Sequence, residues 1–302
     1  MPAAILLAGG AMDVLCDRRP AHLPWWMPSV FSWPVYGGCM LALWLYCRGW
    51  RRLRRQGMIS EIGPGRAPVF FLLGVGAIYA VLQTHFLYAA QHLFTFNRVQ
   101  HLAMHHLGPF LIALSDPGPV LRHGAPPWLR AALGRPAMRA AIRAVMRWVQ
   151  HPVPACLLFF GLVWLWLIPP VHVRAMLDPT LFAVMNAGMV IDGLLFWFLI
   201  LDPRPGGGDG ILSQPARLFL VTAVQLPQIA AGAAIAFAGR DIYPYYDICG
   251  RLVPGIDAGL DQQIGGSIVC YGGGMMSALA ALILFGRLWR DDRPAATVRG
   301  AA

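Results

Sequence analysis

Five histidines are concentrated in one stretch of the sequence, inside or beside two apolar runs. They are His85, His92, His101, His105 and His106. His101 and His105 are four residues apart, so in a helix their side chains lie on one face. A neutral imidazole is a good ligand for copper, zinc and haem iron. The histidines therefore predict either a metal or haem site or a set of imidazoles that hydrogen-bond between helices.

Methionines supply a second type of metal ligand. Met275 and Met276 lie in the last apolar run, and Met185 and Met189 lie in an earlier one. Thioether sulfur selects Cu(I), so copper is the metal that these residue types predict. The predicted ligand set is His85, His101, His105, Met275 and Met276. For any single methionine, the alternative interpretation is ordinary apolar packing.

One carboxylate lies in the middle of an apolar run. Inside a bilayer, Asp192 must be paired, protonated or in contact with water. Pro227 predicts a kink in a later run, and the two features together are compatible with a proton- or ion-coupled transporter. The sequence shows no inverted repeats, which leaves the transporter with less support.

The composition indicates that these residues lie in a membrane. Hydrophobic residues make up 57% of the 302-residue chain and charged residues only 13%, which is too apolar for a soluble domain of this size. Seven runs reach or approach the ~20 residues that a helix needs to cross the hydrocarbon core. They cover residues 31–47, 68–90, 99–114, 153–168, 181–201, 218–238 and 264–288. The sequence predicts one domain, an all-α integral membrane bundle of about seven transmembrane helices.

Arginine content predicts the orientation of these helices. All 24 lysine-plus-arginine residues are arginine, and eighteen of them fall on one side of the predicted membrane. Basic loops stay in the cytoplasm, so we expect the N-terminus outside, the C-terminus in the cytoplasm and the chain in a bacterial plasma membrane. The net charge of +10 could also indicate nucleic-acid binding, but the arginines flank apolar spans. We therefore expect the lipid bilayer, and not nucleic acid, as the anionic partner.

Residues 126–150, between the third and fourth runs, combine apolar residues with regularly spaced arginines. Arg135, Arg139, Arg143 and Arg147 follow at steps of four residues, so they form a basic stripe along one helix face. The stripe predicts contact either with anionic lipid headgroups or with a docking partner.

The six cysteines do not form a recognisable framework. Only Cys16 and Cys249 are predicted to lie outside the membrane, where they could form a disulfide, bind a soft metal or stay unpaired. The sequence contains no CxxC, CxxCH or HExxH pattern, so neither covalent c-type haem nor zinc protease chemistry is indicated.

Three blocks of the sequence resemble one family. NRVQHLAMHHLGP at residues 97–109 resembles the third-helix motif of the multi-spanning CtaG family of cytochrome c oxidase assembly factors. GLLFW at 193–197 resembles the fifth-helix signature of that family, and DQQIGG at 261–266 resembles its last-helix motif. The chain differs from the family pattern at Met185 and Asn186, where histidine is common, and at Cys270, where tryptophan is common.

The resemblance implies a seven-helix, non-catalytic membrane protein that helps to assemble cytochrome c oxidase. It also implies that copper is held or delivered near the outer leaflet, with oxidase subunits or copper chaperones as partners. Two alternatives stay open. One is a b-type haem protein that transfers electrons, because paired histidines on facing helices can ligate haem. The other, with less support, is the coupled transporter.

Overall fold

The computed structural model describes residues 24–58, 65–204, 212–248 and 250–291. Cys16 and Cys249 lie outside these ranges. Within them the chain is all-helical, with 80% helix and no strands, which confirms the predicted fold class at this level.

Short connections join the helices. Many helices have proline in their first turn, where backbone N–H groups have no intrahelical acceptor and the lack of an N–H in proline therefore costs no hydrogen bond. The α-helices are α1 (Trp33–Arg55), α2 (Ala67–Gln83), α3 (Phe86–His92), α4 (Phe94–His101), α5 (Gly108–Leu114), α6 (Gly118–Gly124), α7 (Pro127–Gly134), α8 (Pro136–Val149), α9 (Pro152–Leu167), α10 (Pro169–Leu177), α11 (Pro179–Ile200), α12 (Gln214–Ala223), α13 (Gln225–Ala236) and α14 (Ala258–Asp291). A π-helical segment, Leu102–Leu107, joins α4 to α5, and a short 3₁₀ helix, Pro244–Asp247, precedes α14.

Each of the seven apolar runs overlaps one helix or several consecutive helices. By length and composition, three helical stretches among the described residues can cross a membrane: Pro179–Ile200, Gln214–Ala236, which joins α12 and α13, and Ala258–Arg290. The number rises to five if each of two bent pairs forms one span, namely α2 with α3, bent by 56°, and α8 with α9, bent by 68°. Membrane-spanning helices are thus confirmed, whereas the count of seven and the orientation of the termini stay predictions.

Glycines allow two pairs of helices to pack with their backbones in contact. A Cβ at Gly232 of α13 would lie 2.5 Å from the backbone nitrogen of Cys270 in α14. A Cβ at Gly74 of α2 would lie 2.7 Å from the carbonyl oxygen of Gly108 in α5. Both distances are far below van der Waals contact, so only glycine permits these approaches. Because α2 and α14 also contact the π-helical segment, the glycines fix the helices that surround it.

Charged residues fasten the helices at both ends of the bundle. Asp261, in the first turn of α14, accepts hydrogen bonds from the backbone N–H groups of Phe94 and Thr95 at 2.9 and 2.8 Å. It therefore caps the start of α4, and it also pairs with Arg251 at 2.5 Å. At the other end, the buried Arg217 donates to three backbone carbonyls that follow α11 or precede α12.

Candidate functional site

The third apolar run is not a regular α-helix, because it widens into the π-helical segment Leu102–Leu107. The N–H of Gly108 donates to the carbonyl of Ala103, five residues earlier, as a π turn requires. Pro109 has no N–H, and in a regular helix its ring would clash with the carbonyl four residues before it. The wide turn immediately before Pro109 relieves this conflict.

Three buried histidines in and just before this segment line one small cavity, and we call His101, His105 and His106 the histidine cluster. A π turn contains more residues than an α turn, so His106 reaches the same cavity as the other two. The cavity has a volume of about 30 Å³, which is enough for a water molecule or a single ion. The other lining residues come from α4, the π-helical segment, α9, α11, α13 and α14: Arg98, Leu102, Val163, Met189, Gln228, Ile268, Val269 and Gly273.

His105 forms a buried pair with a carboxylate of α11. Its Nε2 lies 3.1 Å from Oδ2 of Asp192, and the two side chains are only 1% and 10% exposed. The next residue, Gly193, makes this approach possible. A Cβ there would lie 3.0 Å from both the carbonyl carbon of His105 and Cγ of Pro109. Asp192, which the sequence suggested as a residue of a coupled transporter, is therefore the partner of His105.

Several nitrogens of the histidine cluster have no hydrogen-bond partner among the described residues. They are both ring nitrogens of His101, Nδ1 of His105 and Nδ1 of His106. The rings of His105 and His106 lie 4.8 Å apart between centroids, close to edge-on at 85°. Buried polar atoms in proteins are nearly always hydrogen-bonded, so four unpartnered imidazole nitrogens around one cavity indicate a site for an ion or a polar molecule.

The last helix approaches the histidine cluster through glycine. A Cβ at Gly273 would lie 3.2 Å from Cε1 of His106 and 3.2 Å from Oε1 of Gln225. It would lie closer still to Oε1 of Gln228, whose Nε2 has no partner among the residues described. Gln225 itself donates to the Ser277 hydroxyl at 2.6 Å. Glycine at this position thus leaves room for the cavity and for the amides beside it.

Arg98 adds a fixed positive charge to the cavity wall. It is 2% exposed, lies 4.9 Å above the Phe94 ring and donates to the side-chain oxygen of Asn97. In the described part of the chain, no carboxylate lies within ion-pair distance of its guanidinium. A cation in the cavity would therefore meet one positive charge at Arg98 and the carboxylate of Asp192 behind His105.

The structure brings together only part of the ligand set predicted from the sequence. His101 and His105 share the cavity, whereas His85 packs against the rings of Trp25 and Tyr88 at 5.4 and 5.2 Å and does not line it. Met275 is 69% exposed on the outside of α14. Met276 is buried, but in an apolar cluster. Within the described ranges, no three His, Cys, Asp or Glu side chains are grouped so that they could hold a metal ion.

Two lining residues with side chains that can bind a metal were not in the predicted ligand set, His106 and Met189. An α-helical period would place His106 on a different face from His101 and His105, but the segment that contains His106 is π-helical. Met189 is fully buried and lines the cavity. It lies three residues before Asp192, and this spacing places both side chains on one face of α11. This spacing could have predicted from the sequence that Met189 lies on the same helix face as Asp192.

The sequence model of the cytochrome c oxidase caa3 assembly factor family (Caa3_CtaG) matches residues 44–291. The matched region contains the whole histidine cluster, Asp192 and the glycines that pack around them. The match confirms the resemblance indicated by the three sequence blocks. No curated protein and no solved structure matches the chain significantly.

Proposed function

Because the chain belongs to the cytochrome c oxidase caa3 assembly factor family, we propose that it assists oxidase assembly by holding copper at the histidine cluster. Copper is cargo in this proposal, to be passed to the oxidase. The ligands are drawn from His101, His105 and His106, with the Met189 thioether as a soft additional donor. Family membership favours a non-catalytic role, in which the protein binds and presents its cargo.

The single observation that carries the proposal is the set of unpartnered imidazole nitrogens around one cavity of about 30 Å³. An unprotonated imidazole nitrogen is a metal ligand, and leaving it buried without a partner is costly. A bound ion offsets that cost. The donor types also fit, because imidazole together with thioether suits Cu(I). Two imidazoles and one thioether form a low-coordinate set, which this soft ion accepts without a third protein nitrogen.

The surroundings of the histidine cluster match what a copper carrier needs. The three imidazoles are at most 6% exposed, so bulk water has little access to the ion. Asp192 accepts from the Nε2–H of His105, which fixes the ring and leaves the lone pair on Nδ1, an atom with no partner among the described residues. Since Cu(I) carries one positive charge, the Asp192 carboxylate also lowers the electrostatic cost that Arg98 adds.

The size of the cavity gives little support to the haem alternative. About 30 Å³ accommodates one small ion or water molecule, and a porphyrin ring would require the surrounding helices to separate. The transporter alternative relied on Asp192, whose pairing with His105 already accounts for its burial.

We further propose a location and partners consistent with this role. The chain would lie in the plasma membrane as seven spans, with the N-terminus outside and the C-terminus in the cytoplasm, and with the histidine cluster in the outer half of the bilayer. Its partners would be the oxidase subunits that receive copper, or the copper chaperones that supply it.

The decisive experiment measures cytochrome c oxidase activity in membranes of a deletion strain complemented with His101→Ala or His105→Ala. Each substitution removes one proposed ligand, so we expect oxidase activity to fall in copper-limited medium while the variant protein stays inserted and abundant. Added copper should restore part of the activity, because mass action offsets a weaker site.

His151→Ala is the matched control for this experiment. His151 is exposed, precedes α9 and makes no side-chain capping bond, so the same chemical change there should leave oxidase activity unchanged. Wild-type activity in both cluster variants under copper limitation would refute the ligand assignment. The cluster would then be interpreted as imidazoles that pack the helices.

A further inference from the structure

Two consecutive helices between the third and fourth apolar runs, α7 and α8, are largely exposed. None of the residues in α7 or α8 is buried. α8 ends at Val149, and the chain then turns by 68° into the apolar helix α9, which begins at Pro152. A helix this exposed gains little stability from packing, so its apolar residues must be covered by something outside the bundle.

The exposed residues of α8 are sorted into two parallel stripes. Arg139, Arg143 and Arg147 follow at steps of four and are all exposed. Met138, Ile142 and Val145 follow at steps of four and three on a different face, where they are 45%, 40% and 55% exposed. The helix therefore presents a basic stripe and an apolar stripe side by side along its whole length.

We propose that α8 lies in the headgroup region of an anionic phospholipid leaflet. In this arrangement the arginines contact lipid phosphates and the apolar stripe enters the outermost part of the acyl chains. A lipid surface offers an anionic layer directly beside an apolar layer, which is the order of the two stripes. The direct continuation into α9 also places α8 at the membrane boundary.

Tryptophans at the two ends of this region fit the same arrangement. Trp128 in α7 is 71% exposed, and Trp148 in the last turn of α8 is 65% exposed. Tryptophan is enriched at the level of lipid headgroups, because its ring is apolar while its N–H needs a polar partner. A lipid interface therefore accounts for the arginines, the apolar stripe and the tryptophans together.

Hydrogen–deuterium exchange on the full-length protein tests the proposal. The protein is placed in nanodiscs of phosphatidylcholine alone or of phosphatidylcholine mixed with phosphatidylglycerol, and exchange of peptides covering 136–149 is followed. An arginine near an anionic surface contributes roughly a five-fold preference, so three contribute on the order of 100-fold before screening. We expect exchange at least about ten-fold slower in the anionic discs, and high salt should remove most of this difference.

Two variants with three substitutions each identify the stripe that is responsible. In R139Q/R143Q/R147Q the difference between the two lipids should disappear. In R51Q/R54Q/R55Q, which removes three exposed arginines from the end of α1, the difference should persist. The proposal fails if wild-type exchange is equal in both lipids, or if the α1 variant loses the difference as well. It also fails if α8 becomes protected only when purified oxidase is added, since the stripe would then be a protein-docking surface.

Discussion

Replacing Asp192 by asparagine tests whether this carboxylate prepares His105 to bind copper. Oδ2 of Asp192 lies 3.1 Å from Nε2 of His105 inside the bundle. When His105 donates its Nε2–H to the carboxylate, Nδ1 keeps the lone pair that a metal requires, and Nδ1 has no partner in the described part of the chain. Asparagine has nearly the same shape as aspartate but no charge, so the substitution changes the electrostatics more than the packing.

The expected loss of affinity follows from this one hydrogen bond. A bond to a charged partner contributes about 1.5–3 kcal/mol and a neutral one about 0.5–1.5 kcal/mol. The difference, about 1–1.5 kcal/mol, corresponds to roughly a ten-fold change in a dissociation constant. Alanine at position 192 removes the bond altogether and frees the imidazole to turn. We therefore expect Cu(I) affinity to fall about ten-fold in Asp192→Asn and about 100-fold in Asp192→Ala, the range found for partners of metal-bound histidines.

Competition between the purified protein and a coloured Cu(I) chelator measures these affinities directly. Asp178→Asn is the matched control on the same helix. Asp178 caps α11 by accepting from the N–H groups of Thr180 and Leu181 at 2.8 and 3.1 Å, and asparagine caps a helix equally well. Its copper affinity should equal that of the wild type. If Asp192→Ala binds Cu(I) as tightly as the wild type, Asp192 does not orient a copper ligand.

Two further predictions concern the packing of the site and the orientation of the chain. Gly273→Ala should weaken Cu(I) binding in the same competition assay, because the new methyl group displaces His106 or the neighbouring glutamine amides. Gly274→Ala should not, since a Cβ there meets only Oε1 of Gln225 at 3.7 Å. Reporter fusions at Ala302 and after Gly210 should both report the cytoplasm, as the arginine distribution predicts. An external signal from either fusion would contradict the predicted orientation.

Hydropathy predicted the helices well because apolar length is a property of the sequence alone. It could not predict how a span bends. The predicted ligand set placed His85 together with His101, but the chain bends by 56° between α2 and α3. His85 lies at this break, as the residue that precedes α3, so no single helical period sets the direction of its side chain. Its ring turns towards Trp25 and Tyr88 instead.

In the last helix, the helical period of the small residues is enough to predict which face is turned towards the bundle. Gly273, Ser277 and Ala280 follow at steps of four and three and are all buried, so they mark the inward face of α14. Met276 lies three residues after Gly273 and is buried with them, whereas Met275 points about 100° away from Met276 and is 69% exposed. Small residues, rather than the two sulfur atoms, indicated which side of this helix faces the bundle.

The histidine cluster depends on a backbone feature that residue types alone did not reveal. In a regular α-helix, neighbouring residues point about 100° apart, so His105 and His106 would not both face one small cavity together with His101. The π-helical segment removes this restriction, and Pro109 explains why the segment lies where it does. Gly193 and Gly273 then let α11 and α14 close around the widened turn. Pro109 favours the wide turn, and the two glycines leave space for α11 and α14 beside it. Both features are needed for three histidines to line a cavity the size of a single ion.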